Sequence, residues 1–155
     1  MAGLALIRHA EAGQRERWKG DDRLRPLSKK GRRQAEALVD ALDAVPVGRV
    51  LSSPYVRCVQ SVEPLARARS LPVEQSEALA EGAGLAAMFD LVRDLDGASA
   101  ALCTHGDLMD EATRLMVEKG LIRPDEVRYQ KGGVWLLQQA DGRLLSARYL
   151  PAPAA

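Results

Sequence analysis

Three places along the 155 residues share one arrangement: an apolar run stops and is followed at once by side chains that carry or can carry positive charge. They are Leu6-Ile7-Arg8-His9, Val50-Leu51-Ser52-Ser53-Pro54 with Arg57 one turn later, and Leu102-Cys103-Thr104-His105. The chain contains two histidines, and both stand in this position. Two arginines and two histidines gathered beside helix N-termini suit a phosphoryl group, because guanidinium forks match its oxygens and a neutral imidazole can attack phosphorus. Arg8, Arg57 and a protonated His105 would each repel a proton from His9 and so keep it nucleophilic.

For these groups to meet, the runs that precede them must be neighbouring strands of one sheet. The pattern supplies such strands at about Leu4–Arg8, Arg49–Ser52 and Ala98–Cys103. A polar loop, Glu11 to Pro26, follows the first, and a helix then starts at Ser28, a natural N-cap, with Ala35, Leu38, Val39 and Leu42 at helical spacing. Ser53-Pro54 opens a second helix, Leu85 to Leu95 a third, and Leu108 to Lys119, closed by Gly120, a fourth. Leu71–Glu74 reads as an edge strand, since Pro72 cannot donate to a ladder. Val134–Gln138 and Leu144–Tyr149 flank the turn Ala140-Asp141-Gly142. Strands alternating with helices predict an α/β fold: a single domain over 1–150, with a largely parallel central sheet flanked by helices and a disordered tail at 151–155. Ligands of such sheets bind at the carboxyl ends of the strands, which brings all three motifs to one crevice.

Composition removes several alternatives. A formal charge of +1 gives no global field to attract a nucleic acid polymer or a membrane surface, and aromatic residues for stacking on bases are few. No run approaches the roughly 18 apolar residues of a membrane helix. The two cysteines, Cys58 and Cys103, lack the spacing of a metal knuckle or redox pair, so reduced thiols and a cytoplasmic location are expected. No cofactor is expected. Nor is a metal, because the arginines beside both histidines would repel a divalent cation and neither histidine has a second ligand at i, i+4.

The same residues resemble the histidine phosphatase superfamily, and within it the short phosphohistidine phosphatase branch related to SixA. LIRHAEA at 6–12 is similar to the family's Arg-His motif, RPLSKKGRRQAEAL at 25–38 to its first helix, VLSSPYVRCVQSVEPLA at 50–66 to its second arginine motif, and LCTHGD at 102–107 to its second histidine motif. The resemblance spans nearly the whole chain. Ala10 stands where many members have glycine, and Cys58-Val59-Gln60-Ser61 varies the commoner Ala/Cys-x-Gln-Thr. The resemblance implies a phosphoglycerate-mutase-like fold without a large helical insertion, since only about fifty residues separate Arg57 from His105. It implies a metal-independent phosphatase acting through a covalent phosphohistidine on His9, with Arg8, Arg57 and His105 binding phosphate. The partner would be a phosphorylated small molecule or a phosphohistidine protein. A similar domain fused to actinobacterial Nudix hydrolases adds nucleotide-derived phosphates to the small molecules.

A leaving group also needs a proton, and Glu81 is the first candidate to supply it, with Asp107 second. Glu11 is placed to orient the first loop. Arg15, Trp18 and Lys19 lie in the charged stretch running on to Arg25 and are candidates for a substrate rim, as are Tyr129, Lys131, Gly132 and Gly133 from the C-terminal side. Two other functions share these residues: a phosphoglycerate-mutase-type phosphotransferase, which a shallow, water-open site disfavours, and a non-catalytic phospho-ligand sensor lacking an effective acid.

Overall fold

A computed structural model describes residues 2–95, 97–140 and 143–154 of the chain. Among them, β1 (Ala2–Arg8), α1 (Lys29–Ala41), β2 (Arg49–Ser52), α2 (Val56–Ala68), β3 (Val73–Gln75), α3 (Leu85–Asp94), β4 (Ala100–Thr104), α4 (Gly106–Glu118), β5 (Val134–Ala140) and β6 (Arg143–Leu150) follow in chain order. One sheet takes all six strands in the order β3-β2-β4-β1-β5-β6. The first four run parallel, with β1 against β4 from Leu4↔Ala100 to Arg8↔Thr104, and β5 and β6 close the sheet as an antiparallel pair.

The alternation of side chains along β1 explains the layering. Ala5 and Ile7 face one side, in a cluster with Leu38 and Leu42 from the region of α1 and Val62 and Leu65 of α2. Leu4 and Leu6 face the other, with Met88 and Val92 of α3 and Leu108, Met109 and Met116 of α4. Every residue of β4 is buried, as its unbroken apolar run requires of a central parallel strand. The expected α/β architecture is thus the observed one, a single domain with a mostly parallel sheet between helices, and only β3, a 3-10 turn at Glu77–Leu79 and α3 lie between α2 and β4.

Several boundaries differ from the sequence reading, each for a local reason. Ser28 caps α1 as expected, its hydroxyl accepting from the Gly31 N–H. The second helix begins at Val56 rather than at Ser53-Pro54; the Ser53 hydroxyl bonds His105 Nε2 at 2.8 Å and accepts the Tyr55 N–H at 3.2 Å ahead of the helix. The last helix begins two residues early, at Gly106, with His105 itself in the capping position. The polar loop after β1 holds two 3-10 turns, Arg15–Arg17 and Asp22–Leu24. Of the turn expected between β5 and β6, Asp141 and Gly142 lie outside the described residues, as does Ala155 of the tail; the two strands pair as expected. Ala152 directs its N–H at Gln130 Oε1, 3.4 Å away. No helix among the described residues is long and apolar enough to cross a membrane.

Candidate functional site

The carboxyl ends of β1, β2 and β4 lie side by side because parallel pairing leaves them no other arrangement. The His9 N–H donates to the Thr104 carbonyl at 3.1 Å, and the Ser53 N–H to the Cys103 carbonyl at 2.9 Å, so the ladder continues one residue into each motif. From the opposite side Gly132 donates to the Arg8 and His9 carbonyls at 3.1 and 3.0 Å. Gly132 needs its positive φ of 84° to do so, which favours glycine there. The glycine pair thus anchors the end of β1 through its backbone.

His9 is buried, and its ring Nδ1 lies 2.8 Å from the Ala10 carbonyl. A carbonyl only accepts, so Nδ1 carries the proton and Nε2 keeps its lone pair. Burial pushes the pKa of His9 down to about 3, helped by repulsion from His105, Arg57 and Arg8 and opposed by the Ala10 hydrogen bond. The sequence reading credited like charge alone; burial is the larger cause. Ala10 in turn donates its N–H to Ser61 Oγ at 2.8 Å, and the Ser61 hydroxyl donates to the Arg57 carbonyl at 2.6 Å. The two departures from the family pattern therefore meet and tie the nucleophile loop to α2.

His105 places Nε2 2.8 Å from Ser53 Oγ and 3.5 Å from Cys58 Sγ, with the Tyr55 ring against its edge. Both cysteines are free and buried. Arg57, 1% exposed, sends Nη1 to the Asp22 carbonyl at 2.8 Å and Nη2 to the Asp22 carboxylate at 3.0 Å. Partial burial pushes the Asp22 carboxyl up, but Arg25 and Arg57 together bring it below the usual carboxylate value. Arg8 ties Nη1 to the Tyr129 carbonyl at 2.8 Å, and its guanidinium lies so close over Gly106 that a Cβ there would stand 2.7 Å from Nη2. Three buried side-chain nitrogens lack a hydrogen-bond partner among the described residues: Arg8 Nε, Arg57 Nε and His105 Nδ1. All three residues line, with His9, a cleft of about 550 Å³. Buried polar atoms are normally satisfied, so this arrangement fits an anion that accepts from several donors at once.

Around that floor the other candidates divide. Glu81 lines the cleft and accepts from Arg15 Nη2 at 2.8 Å. Asp107 also lines it, from the first turn of α4, with its carboxylate accepting the Gly82 N–H at 2.8 Å. It thereby fixes the loop that carries Glu81. Arg15, Tyr129 and Lys131 are at the cleft, whereas Trp18 borders an adjoining hollow and Lys19 borders neither. Glu11 takes the Gly13 N–H at 2.7 Å and the Ser28 hydroxyl, and the latter above all holds its carboxyl below the usual range. Asp22 reads in the sequence only as part of the charged stretch, Ser53 only as a helix start and Ser61 only as a variation of the family motif; none is marked there for the contact it makes. An Asp before a run of arginines is the one signal that could have marked Asp22.

A sequence model described as the histidine phosphatase superfamily (branch 1) matches residues 4–85. The 8-oxo-(d)GTP phosphatase of Mycolicibacterium smegmatis is 37% identical over 155 residues, 97% of this chain and 48% of that protein. The chain thus spans about half the length of this relative. Among solved structures, one from Agrobacterium tumefaciens assigned to the phosphohistidine phosphatase SixA superposes with a TM-score of 0.77 at 22% identity, covering 95% of this chain and 97% of that one. The protein histidine phosphatase SixA complexed with tungstate superposes with a TM-score of 0.75 at 19% identity, over 98% and 96%. At such identities these two structures speak to the fold.

Proposed function

Because the chain is an enzyme of the histidine phosphatase superfamily, we propose that it hydrolyses a phosphoryl group through a covalent phosphohistidine on His9, without a metal. The observation that carries the reading is that Arg8, Arg57 and His105, each with a buried nitrogen left unpartnered among the described residues, line the cleft that also holds His9. His9 Nε2 attacks phosphorus, and the P–O bond to the leaving group breaks with its electron pair on oxygen. Arg8, Arg57 and His105 hold the equatorial oxygens as charge spreads over them. Water then attacks the phosphohistidine and returns the electron pair to Nε2. Glu81, held at the cleft by Arg15, is the candidate to protonate the leaving oxygen, and Asp107 positions its loop. Donors of this sign need no divalent cation to bind phosphate, and they would repel one.

The Mycolicibacterium relative is named for a nucleoside triphosphate and the SixA structures for phosphohistidine. A nucleotide-derived small molecule and a phosphohistidine protein therefore both belong to the reading. So does a reducing, cytoplasmic setting, which the free thiols of Cys58 and Cys103 favour. Turnover of nitrophenyl phosphate, unchanged by chelators, with acid-labile and base-stable phosphate trapped on the wild type and not on a folded His9→Ala variant, is the expected result. Activity of His9→Ala close to wild type would overturn the covalent mechanism, and stimulation of chelated enzyme by added magnesium, manganese or zinc would overturn metal independence. Phosphate binding without any turnover would make the protein a sensor.

A further inference from the structure

The residues proposed to hold or attack the phosphoryl group are four of the fifteen that line the cleft. A volume of about 550 Å³ is in the range that holds a whole small molecule. Besides Arg8 and Arg57, three cations line it: Arg25, committed to the Asp22 carboxylate and the Ala12 carbonyl, and, from different parts of the chain, Arg15 of the turn after β1 and Lys131 of the loop before β5. Lys131 has no carboxylate within ion-pair distance among the described residues. Arg15 is 58% exposed and divides itself between Glu81 at 2.8 Å and Asp22 at 3.5 Å. Resting on the phosphatase reading above, we infer that Arg15 and Lys131 form a second anion seat. The substrate is then a phosphoanhydride of the nucleoside di- or triphosphate kind, its leaving phosphate held by these two residues.

Four carboxylates also line the cleft, Glu16, Glu81, Asp107 and Asp110, the last accepting from Tyr129 and Arg114; the condition of the two candidate acids points the same way. An alkoxide or serine oxygen leaves only with a proton, and Glu81, the candidate to give it, must first part from the Arg15 guanidinium, while Asp107 is held by the Gly82 N–H. A leaving phosphate, whose last proton dissociates near pH 6, departs as an anion and needs cations rather than an acid. As the Nε2–P bond of His9 forms, the bridging P–O bond breaks, and its electron pair stays on an oxygen that becomes a terminal oxygen of the departing phosphate. Arg15 exchanges its carboxylate partner for that oxygen. Water then cleaves the N–P bond, giving inorganic phosphate and releasing one proton to solvent.

The test compares kcat/KM of the full chain on a nucleoside diphosphate, the matching monophosphate and nitrophenyl phosphate, in the wild type, R15A, K131A and R15K. The wild type is expected to favour the diphosphate over the monophosphate by about tenfold or more, the scale of one charge-assisted contact. The ratio of diphosphate to nitrophenyl phosphate should fall by a similar factor in R15A and K131A, mainly through KM, and be largely restored in R15K. A wild-type preference near unity, or a ratio unmoved by both alanine variants while nitrophenyl phosphate still turns over through His9, overturns the second seat and leaves the phosphatase reading standing. Absence of nitrophenyl phosphate turnover and of trapped phosphate would instead strike at that earlier reading.

Discussion

At the scale of single residues, His9 couples the chemistry of the site to the stability of the fold. Its folded pKa of about 3 lies below the 6.5 of an ordinary histidine, so between those values an unfolded chain takes up a proton that the native protein refuses. Stability therefore falls as pH drops through that window, at up to about 1.4 kcal/mol per pH unit from this group. His9→Gln should flatten the decline. Urea midpoints of both proteins at intervals from pH 7 to pH 5 would show it, and parallel curves would mean that His9 is not held neutral by the fold. His9, Arg8 and His105 could be found in the sequence because each directly follows an apolar strand run, and Arg57 because it follows such a run by one turn. Asp22, which receives Arg57 across a separation of 35 residues, could not be found that way. Ser61 lies inside a motif, but nothing local says that its hydroxyl ties the backbone of Ala10 to that of Arg57.

Among the elements, α1 shows how a local rule yields to a tertiary contact. Gly31 lies inside this helix, where alanine would ordinarily be favoured by about 1 kcal/mol. A Cβ at that position, however, would overlap the Glu11 carbonyl, which is backbone and also accepts the Ser28 N–H at 3.0 Å. Gly31→Ala is therefore expected to destabilise, by about 1–3 kcal/mol for overpacking, against the sign of helix propensity. Chemical denaturation measures it, and a gain in stability would show that the Glu11 loop gives way freely. The helical faces and the buried β4 were legible because periodicity and unbroken apolar runs are local signals. The stretch from Glu11 to Pro26 read only as polar. Its order comes from Asp21 capping a 3-10 turn and from Arg25, buried with Nη1 on the Ala12 carbonyl at 2.9 Å. Charge composition alone does not announce a buried arginine.

For the molecule as a whole, the strand order matters more than the strand list. The sequence indicated six strands, a mostly parallel sheet and one crevice, but no local pattern says that β4 inserts between β1 and β2. That insertion has a consequence for how the chain acquires its structure over time. Residues 1–98 contain two of the three site motifs and the whole stretch matched by the family model, yet their two longest parallel partners, β1 and β2, touch each other only through a strand that comes later. A nascent chain leaving the ribosome cannot join β1 to β2 until residue 104 has emerged, which delays the cooperative step and leaves apolar strands in need of protection meanwhile. A fragment ending at residue 98 should consequently lack a cooperative unfolding transition by circular dichroism. A sharp transition in that fragment would show that the two halves of the sheet assemble without their centre.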